Sequence, residues 1–228
     1  MKKALIFGVS ICAVLFAFTG CKQGLFKKHN SEGTIEYKVA VMDSNNPMAK
    51  FAPDKMVVKF KNNLSYAQLI AGMGLFETDF VNDEPNKKIV QMVRLLNKKV
   101  YYIADTNAVN KELRVSPKLI FTPSAETKVI AGFKCKKINV AYADNKYPPF
   151  DLFYTEDIKL DNPNWATPYK NINGVLMGYR VSRYGFYLEC TATKVDMENA
   201  VDDNLFKIPP EYKKISKEQI DELYKSFQ

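Results

Sequence analysis

Alternation of apolar and polar side chains with a period of two runs through most of this chain, and it commits the chain to β-strands. Ile35, Tyr37, Val39 and Val41 fall on one face of "TIEYKVAV", with Glu36 and Lys38 on the other. Met56, Val58 and Phe60 alternate in the same way with Lys59 and Lys61, and Asn62-Asn63 punctuates. The segment 64–81, "LSYAQLIAGMGLFETDFV", reads as two strands bent at Gly72 and Gly74, or as a short helix before a strand. "DEPN" at 83–86 is a turn by its Pro and Asn content. Beyond it, "KIVQMVRLL" and "KVYYIAD" form a hairpin across Asn97-Lys98.

Further strands are expected at Leu119 to Phe121 and at Lys128 to Tyr142, the latter long enough to curve at Gly132. Phe150 to Asp157, Gly174 to Ser182 and Gly185 to Val195 follow, the last two closing through "SRYG". Strand after strand joined by short turns implies an antiparallel sheet with one face buried and one partly wet. The end of the chain differs. Pro209-Pro210 breaks the sheet, and Ser216 with Gln219 makes a capping box. Ile220, Leu223, Tyr224 and Phe227 then share one face of a short amphipathic helix over 217–227, with Ile215 placed to staple onto Ile220.

The first twenty residues read separately. Lys2 and Lys3 precede fifteen uncharged residues, Ala4 to Phe18. That run is shorter than the ~20 apolar residues a membrane-spanning helix needs. A basic start, a short apolar run and the small residues Thr19 and Gly20 describe a secretory signal. Cys21 follows directly, as in the lipobox of bacterial lipoproteins, and that resemblance implies a diacylglycerol thioether on Cys21. Two or three acyl chains make a durable anchor, at about 0.8 kcal/mol per buried CH₂. The alternative is an ordinary cleaved signal with a chance cysteine. Residues 21–31 form the lipidated cysteine and a polar tether, which for about ten residues reaches ~19 Å. The rest, 32–228, reads as a single β-rich domain.

Composition supports a sizeable core: 46% of residues are hydrophobic and 13% aromatic, too many for a disordered chain. The formal charge of +8 is scattered in lysine doublets without a long basic run, so nucleic acid is not an expected partner. Cys12 leaves with the signal and Cys21 is spent on lipid. Cys135 and Cys190 remain, as a disulfide, as two buried thiols or with one reactive thiol; neither has metal or redox spacing.

Signals of catalysis are missing from the sequence. The single histidine, His29, falls in the tether, which removes Ser-His-Asp, Cys-His and His-bearing zinc arrangements from the folded region. Glu156-Asp157 and Asp202-Asp203 are acidic neighbours; in a strand such neighbours point to opposite faces and do not converge on a sugar. The chain is expected to be no enzyme, with no cofactor and no metal. Thirteen Tyr and fifteen Phe against one Trp put aromatics on both faces of several strands. The face that is not core needs a cover: the helix, a partner or an apolar ligand.

Several segments resemble the GLPGLI-type and related envelope-lipoprotein families. "GTIEYKV" at 33–39 looks like their opening strand, and "ETKVIAGFKCKKINV" at 126–140 is similar to their Gly- and Cys-containing strand, with Gly132 and Cys135 in matching places. "LFYTEDI" at 152–158 and "PYKNINGVLMGYRV" at 168–181 fall where later family motifs sit. The resemblance implies a LolA-like half-open antiparallel barrel, and no reaction. Two functions follow as expectations. The first is a membrane-anchored periplasmic domain binding a lipid or other apolar ligand on a concave sheet, at the outer membrane. The second is an accessory envelope protein that binds a protein partner through the sheet. Leu69, Ile70, Met73, Leu75, Phe76, Ile220, Leu223 and Phe227 are the expected lid or ligand contacts.

Overall fold

The computed structural model describes residues 31–43, 45, 49–183 and 185–225, with Met73 by its backbone. Cys21 and Phe227 lie outside the described residues. The chain forms one twelve-stranded curved sheet that does not close into a barrel. A first meander runs β1 (Glu32–Val41), β2 (Lys55–Lys61), β3 (Leu64–Ala71), β4 (Phe76–Asp83), β5 (Lys88–Leu95) and β6 (Lys98–Ala104). Helix α1 (Thr106–Val115) crosses over to a second meander. That one comprises β7 (Leu119–Ile130), β8 (Phe133–Tyr142), β9 (Phe150–Thr155), β10 (Val175–Arg183) and β11 (Phe186–Asp196). The two meanders join where β1 pairs with β11. A two-residue strand, β12 (Lys213–Lys214), adds in parallel to β6, and α2 (Lys217–Lys225) ends the described chain.

The alternation read from sequence is the burial pattern observed. Ile35, Tyr37 and Val39 are buried while Lys38 is exposed. Asn62 and Asn63 both take positive φ, 50° and 65°, as a two-residue hairpin between β2 and β3 requires. The capping box is formed: Ser216 N–H donates to Gln219 Oε1 at 3.0 Å, and Gln219 N–H to Ser216 Oγ at 3.3 Å. Ile215 packs with Ile220 as the staple expected from sequence.

Three expectations are corrected. The long strand 128–142 is two strands, because Ala131 and Gly132 (φ 47° and 86°) make a tight turn between Ile130 and Phe133. The hairpin after β5 turns at Leu96 (φ 51°) and Asn97, one residue earlier than expected. Helix α1 was not expected at all. Only Val109 of its ten residues is buried, and its clearest local signature is the Asp105 side chain capping the Ala108 N–H at 2.9 Å.

Candidate functional site

Cross-strand register fixes what faces the inside of the curve. Tyr37, Met56, Leu69, Thr78, Val93 and Val100 stand directly opposite one another from β1 to β6 and so share the concave face. Ala192 and Cys190 continue that face on β11, and Tyr179 on β10. This surface is covered by the chain itself. Ile220, Leu223 and Tyr224 of α2 pack on Val93 and Val100, with Ile220 fully buried. The Tyr224 hydroxyl lies 2.6 Å from Thr78 Oγ1 and accepts from Gln91 Nε2 at 3.0 Å. The two limbs of the curve also touch: the Arg183 guanidinium of β10 stacks 4.7 Å above the Phe80 ring of β4. Trp165, in the loop between β9 and β10, donates its indole N–H to Asn82 of β4 at 2.7 Å. Tyr37 donates to the Leu176 carbonyl at 2.8 Å and packs edge-on to Tyr179.

The segment 64–81 is not a cover over the sheet. It is the β3–β4 hairpin within it, and only its connecting turn stands clear. That turn belongs to an apolar rim at one end of the molecule. In an antiparallel meander the ends of β1, β3 and β5 lie beside the starts of β2, β4 and β6. A 3₁₀ turn at Ala49–Phe51 before β2 touches the 3₁₀ turn at Gly72–Gly74. Leu96 N–H donates to the Leu75 carbonyl at 3.1 Å, which sets the two leucines side by side. Phe51, Ile70, Leu75 and Leu96 are 39%, 45%, 53% and 60% exposed, large values for side chains of this kind. Gly72 and Gly74 take φ of 55° and 88°, which only glycine adopts freely, so the turn depends on both.

Of the sequence-expected contact residues, Ile70 and Leu75 are on this rim, Leu69 packs into the main core, and Phe76 packs on Tyr224 with ring centroids 5.2 Å apart. Met73 lies in the turn by its backbone. Ile220 and Leu223 are core. Phe51 and Leu96 were missed. The signal for Leu96 was the break in alternation at Leu95-Leu96, which leaves the second leucine in the turn rather than in the strand. The opposite end of the molecule, where β1 begins at Glu32, carries an open polar cleft of about 620 Å³ lined by Asn62, Asn63, Glu156, Asp161 and Asn173.

Cys135 and Cys190 are free thiols buried in one hydrophobic cluster. Their strands, β8 and β11, are separated by β9 and β10. Three inter-strand spacings of ~4.8 Å exceed the ~4.4 to 6.8 Å between Cα atoms that a disulfide spans. Burial pushes their pKa values up, to about 11 for Cys135 and about 12 for Cys190, which keeps both as unreactive thiols at neutral pH.

The convex face holds a buried acid. Asp79 is 5% exposed, beneath a cover made by Leu205, Phe206, Ile208 and Tyr212. One of its carboxylate oxygens has no hydrogen-bond partner. Glu77 stands two residues away on the same face, where Arg94 Nε donates to it at 3.1 Å and Gln68 Nε2 at 2.9 Å. Burial, and then the Glu77 charge, push Asp79 up to about 7. Among the described residues no group of three or more metal-ligating side chains converges.

Solved structures share this fold. Structures of PNGF-II in two space groups superpose with a TM-score of 0.53, at 16% and 17% identity. The match covers 86% of this chain but 34% and 33% of PNGF-II, so the chain spans about a third of the length of those structures. At such identity the likeness concerns the fold alone. MucB, by itself and in complex with MucA(peri), matches with a TM-score of 0.33 at 9% and 12% identity, over 81% of this chain and 59% and 56% of MucB. No family model and no curated protein matches the chain.

Proposed function

We propose that this chain is a non-catalytic accessory domain of the bacterial cell envelope that seats an apolar segment of a protein partner on its rim. One observation carries the reading: Phe51, Ile70, Leu75 and Leu96 leave large apolar side chains in water on three adjoining turns and the end of β3. Patches of this kind mark interaction sites when they are contiguous. The placement suits an anchored protein. The chain enters the domain at the start of β1, and ten residues of strand at ~3.3 Å each put the rim ~33 Å from that point. With a lipid on Cys21 and a short tether, the rim projects from the outer membrane into the periplasm. The concave face, where a lipid was expected from sequence, packs against α2 and the opposing limb of the sheet.

The test is site-specific photo-cross-linking in cells of the full chain. A photoreactive residue at Leu75 should yield one discrete protein adduct, and the same residue at Asn173, on the far end, should yield none. Leu75→Asp with Leu96→Asp should remove the adduct, since burying each leucine is worth roughly 1.5 to 3 kcal/mol, and should leave the melting temperature nearly unchanged. A co-purified lipid that native mass spectrometry detects in the parent and not in the double variant would overturn the protein-partner reading in favour of an apolar ligand.

A further inference from the structure

We propose that residues 204–214 form a strap that lifts from the convex face when Asp79 loses its proton. The strap is tied at both ends and held lightly between them. Before it, the Lys61 ammonium pairs with Asp203 at 2.9 Å, and Val201 N–H donates to Glu32 Oε1 at 2.7 Å. After it, α2 is fixed by the fully buried Ile220. Between these points no residue from 202 to 219 is buried. Its attachments to β6 are short. Lys213 and Lys214 pair with Val100 and Tyr101, and Ile215 N–H donates to the Tyr101 carbonyl at 2.9 Å. Lys99 meets Glu211 at 3.0 Å, with both side chains partly exposed.

What lies beneath is dry. Tyr66, Val81 and Met92 are buried under Leu205, Phe206, Ile208 and Tyr212. Asp79 stands among them, set by register between Gln68 of β3 and Met92 of β5, with Tyr101 of β6 beyond Met92.

Charged and polar groups face Asp79 from each element around it. Hydrogen bonding from Tyr66 and Gln68 of β3 favours its charged form. Glu77 of β4 opposes that form more strongly, by its charge and as an acceptor that only the protonated acid can use. Arg94 of β5 is engaged by Glu77. Lys99 of β6 is engaged by Glu211 and lies over the Tyr212 ring at 6.0 Å. Tyr212 is the titratable group of the strap that faces the acid; burial, then the Asp79 and Glu77 charges, push it up to about 12, so it stays a neutral phenol.

An ionised Asp79 is therefore a buried charge with one unpartnered oxygen and a like charge two residues away. Water reaches it only if a wall moves. The walls at β3, β4 and β5 are strands paired on both sides, whereas the strap can lift with its ends still tied. Closed, Asp79 titrates at about 7; open to water, it returns towards 3.8. Acid thus holds the strap down. Opening rises roughly tenfold per pH unit between those two values and levels off above the higher one.

The experiment uses the full chain in membranes, with Val81→Cys placing a thiol under the strap. Its labelling by a soluble maleimide is divided, at each pH, by the labelling of the same cysteine in an Asp79→Asn background, so that the titration of the thiol cancels. The ratio should rise about tenfold from pH 6 to pH 8 and stay level beyond. Cys135 and Cys190, buried in the main core, report global unfolding and should stay unlabelled throughout. A flat ratio would overturn the strap, and so would labelling of Cys135 and Cys190 in step with position 81. Where Val81→Cys fails to fold, amide exchange at Ile215 in the parent and in Asp79→Asn reads the same ratio. There too a flat ratio, or an equal rise at the β1 amides, would overturn the proposal.

Discussion

Asp79 shows how one residue sets a pH dependence for the whole domain. Its folded pKa, about 7, lies above the ordinary value of 3.8, so the protonated acid is the form that the fold prefers. Between those two values the folded chain binds a proton that the unfolded chain does not. The stabilisation is complete below about pH 4 and is lost as pH rises towards 7. Asp79→Asn keeps the shape, removes the titration and removes a buried charge at high pH. Denaturant unfolding should show the parent less stable at pH 8 than at pH 5, and Asp79→Asn nearly level between them. At pH 8 the variant should gain on the order of 1–3 kcal/mol, the usual cost of an unsatisfied buried polar group. A parent without this slope would mean that water or another donor reaches the carboxylate. Nothing in the local sequence announced this residue: Glu77 and Asp79 alternate with apolar neighbours as any solvated strand face would, and the cover over them comes from residues 126 to 133 positions later.

At the scale of elements, the C-terminal stretch is a clasp on the β6 edge. Residues 205–212 cover the convex face, β12 pairs along the edge, and α2 lies on the concave face. Its helix was legible because Ser216 and Gln219 are local to each other; its role was not, because Val93 and Val100 lie over a hundred residues away. Sequence left open whether this helix is a lid or core, and truncation after Pro210 separates the two. Losing Ile220, Leu223 and Tyr224 removes ~5–9 kcal/mol of burial at ~1.5–3 kcal/mol each, an upper bound set against a total stability of ~5–15 kcal/mol. A truncated chain should therefore melt far lower or fail to fold, as circular dichroism and limited proteolysis would show. A truncated chain that keeps its melting temperature and binds an apolar dye would make α2 a lid. The β7–β8 hairpin was hidden for a different reason. Its turn places Ala131, and not a second glycine or an asparagine, at a positive φ, so the usual two-residue turn signal is half absent.

For the molecule as a whole, alternation made the antiparallel meander readable but could not say how the two meanders meet. The closure depends on β1, which pairs with its sequence neighbour β2 on one side and with β11 on the other, setting Thr34 opposite Asp196. Ile35, Tyr37 and Val39 seal that seam together with Cys190 and Ala192, all of them buried. So distant a contact repays its loop-closure entropy only when most of the sheet is in place, which makes the seam the last to form and the whole sheet one cooperative unit. Native-state amide exchange tests this directly. The amides of β1, β10 and β11 should exchange most slowly and together, at the free energy of global unfolding, while α1 exchanges through local opening. Ile35→Ala should cost about 2–5 kcal/mol and lower protection in both meanders equally, because it acts on the seam they share. If the variant instead releases β7–β11 while β2–β6 stays protected, the two meanders are separate folding units and the curved sheet is an assembly of two parts.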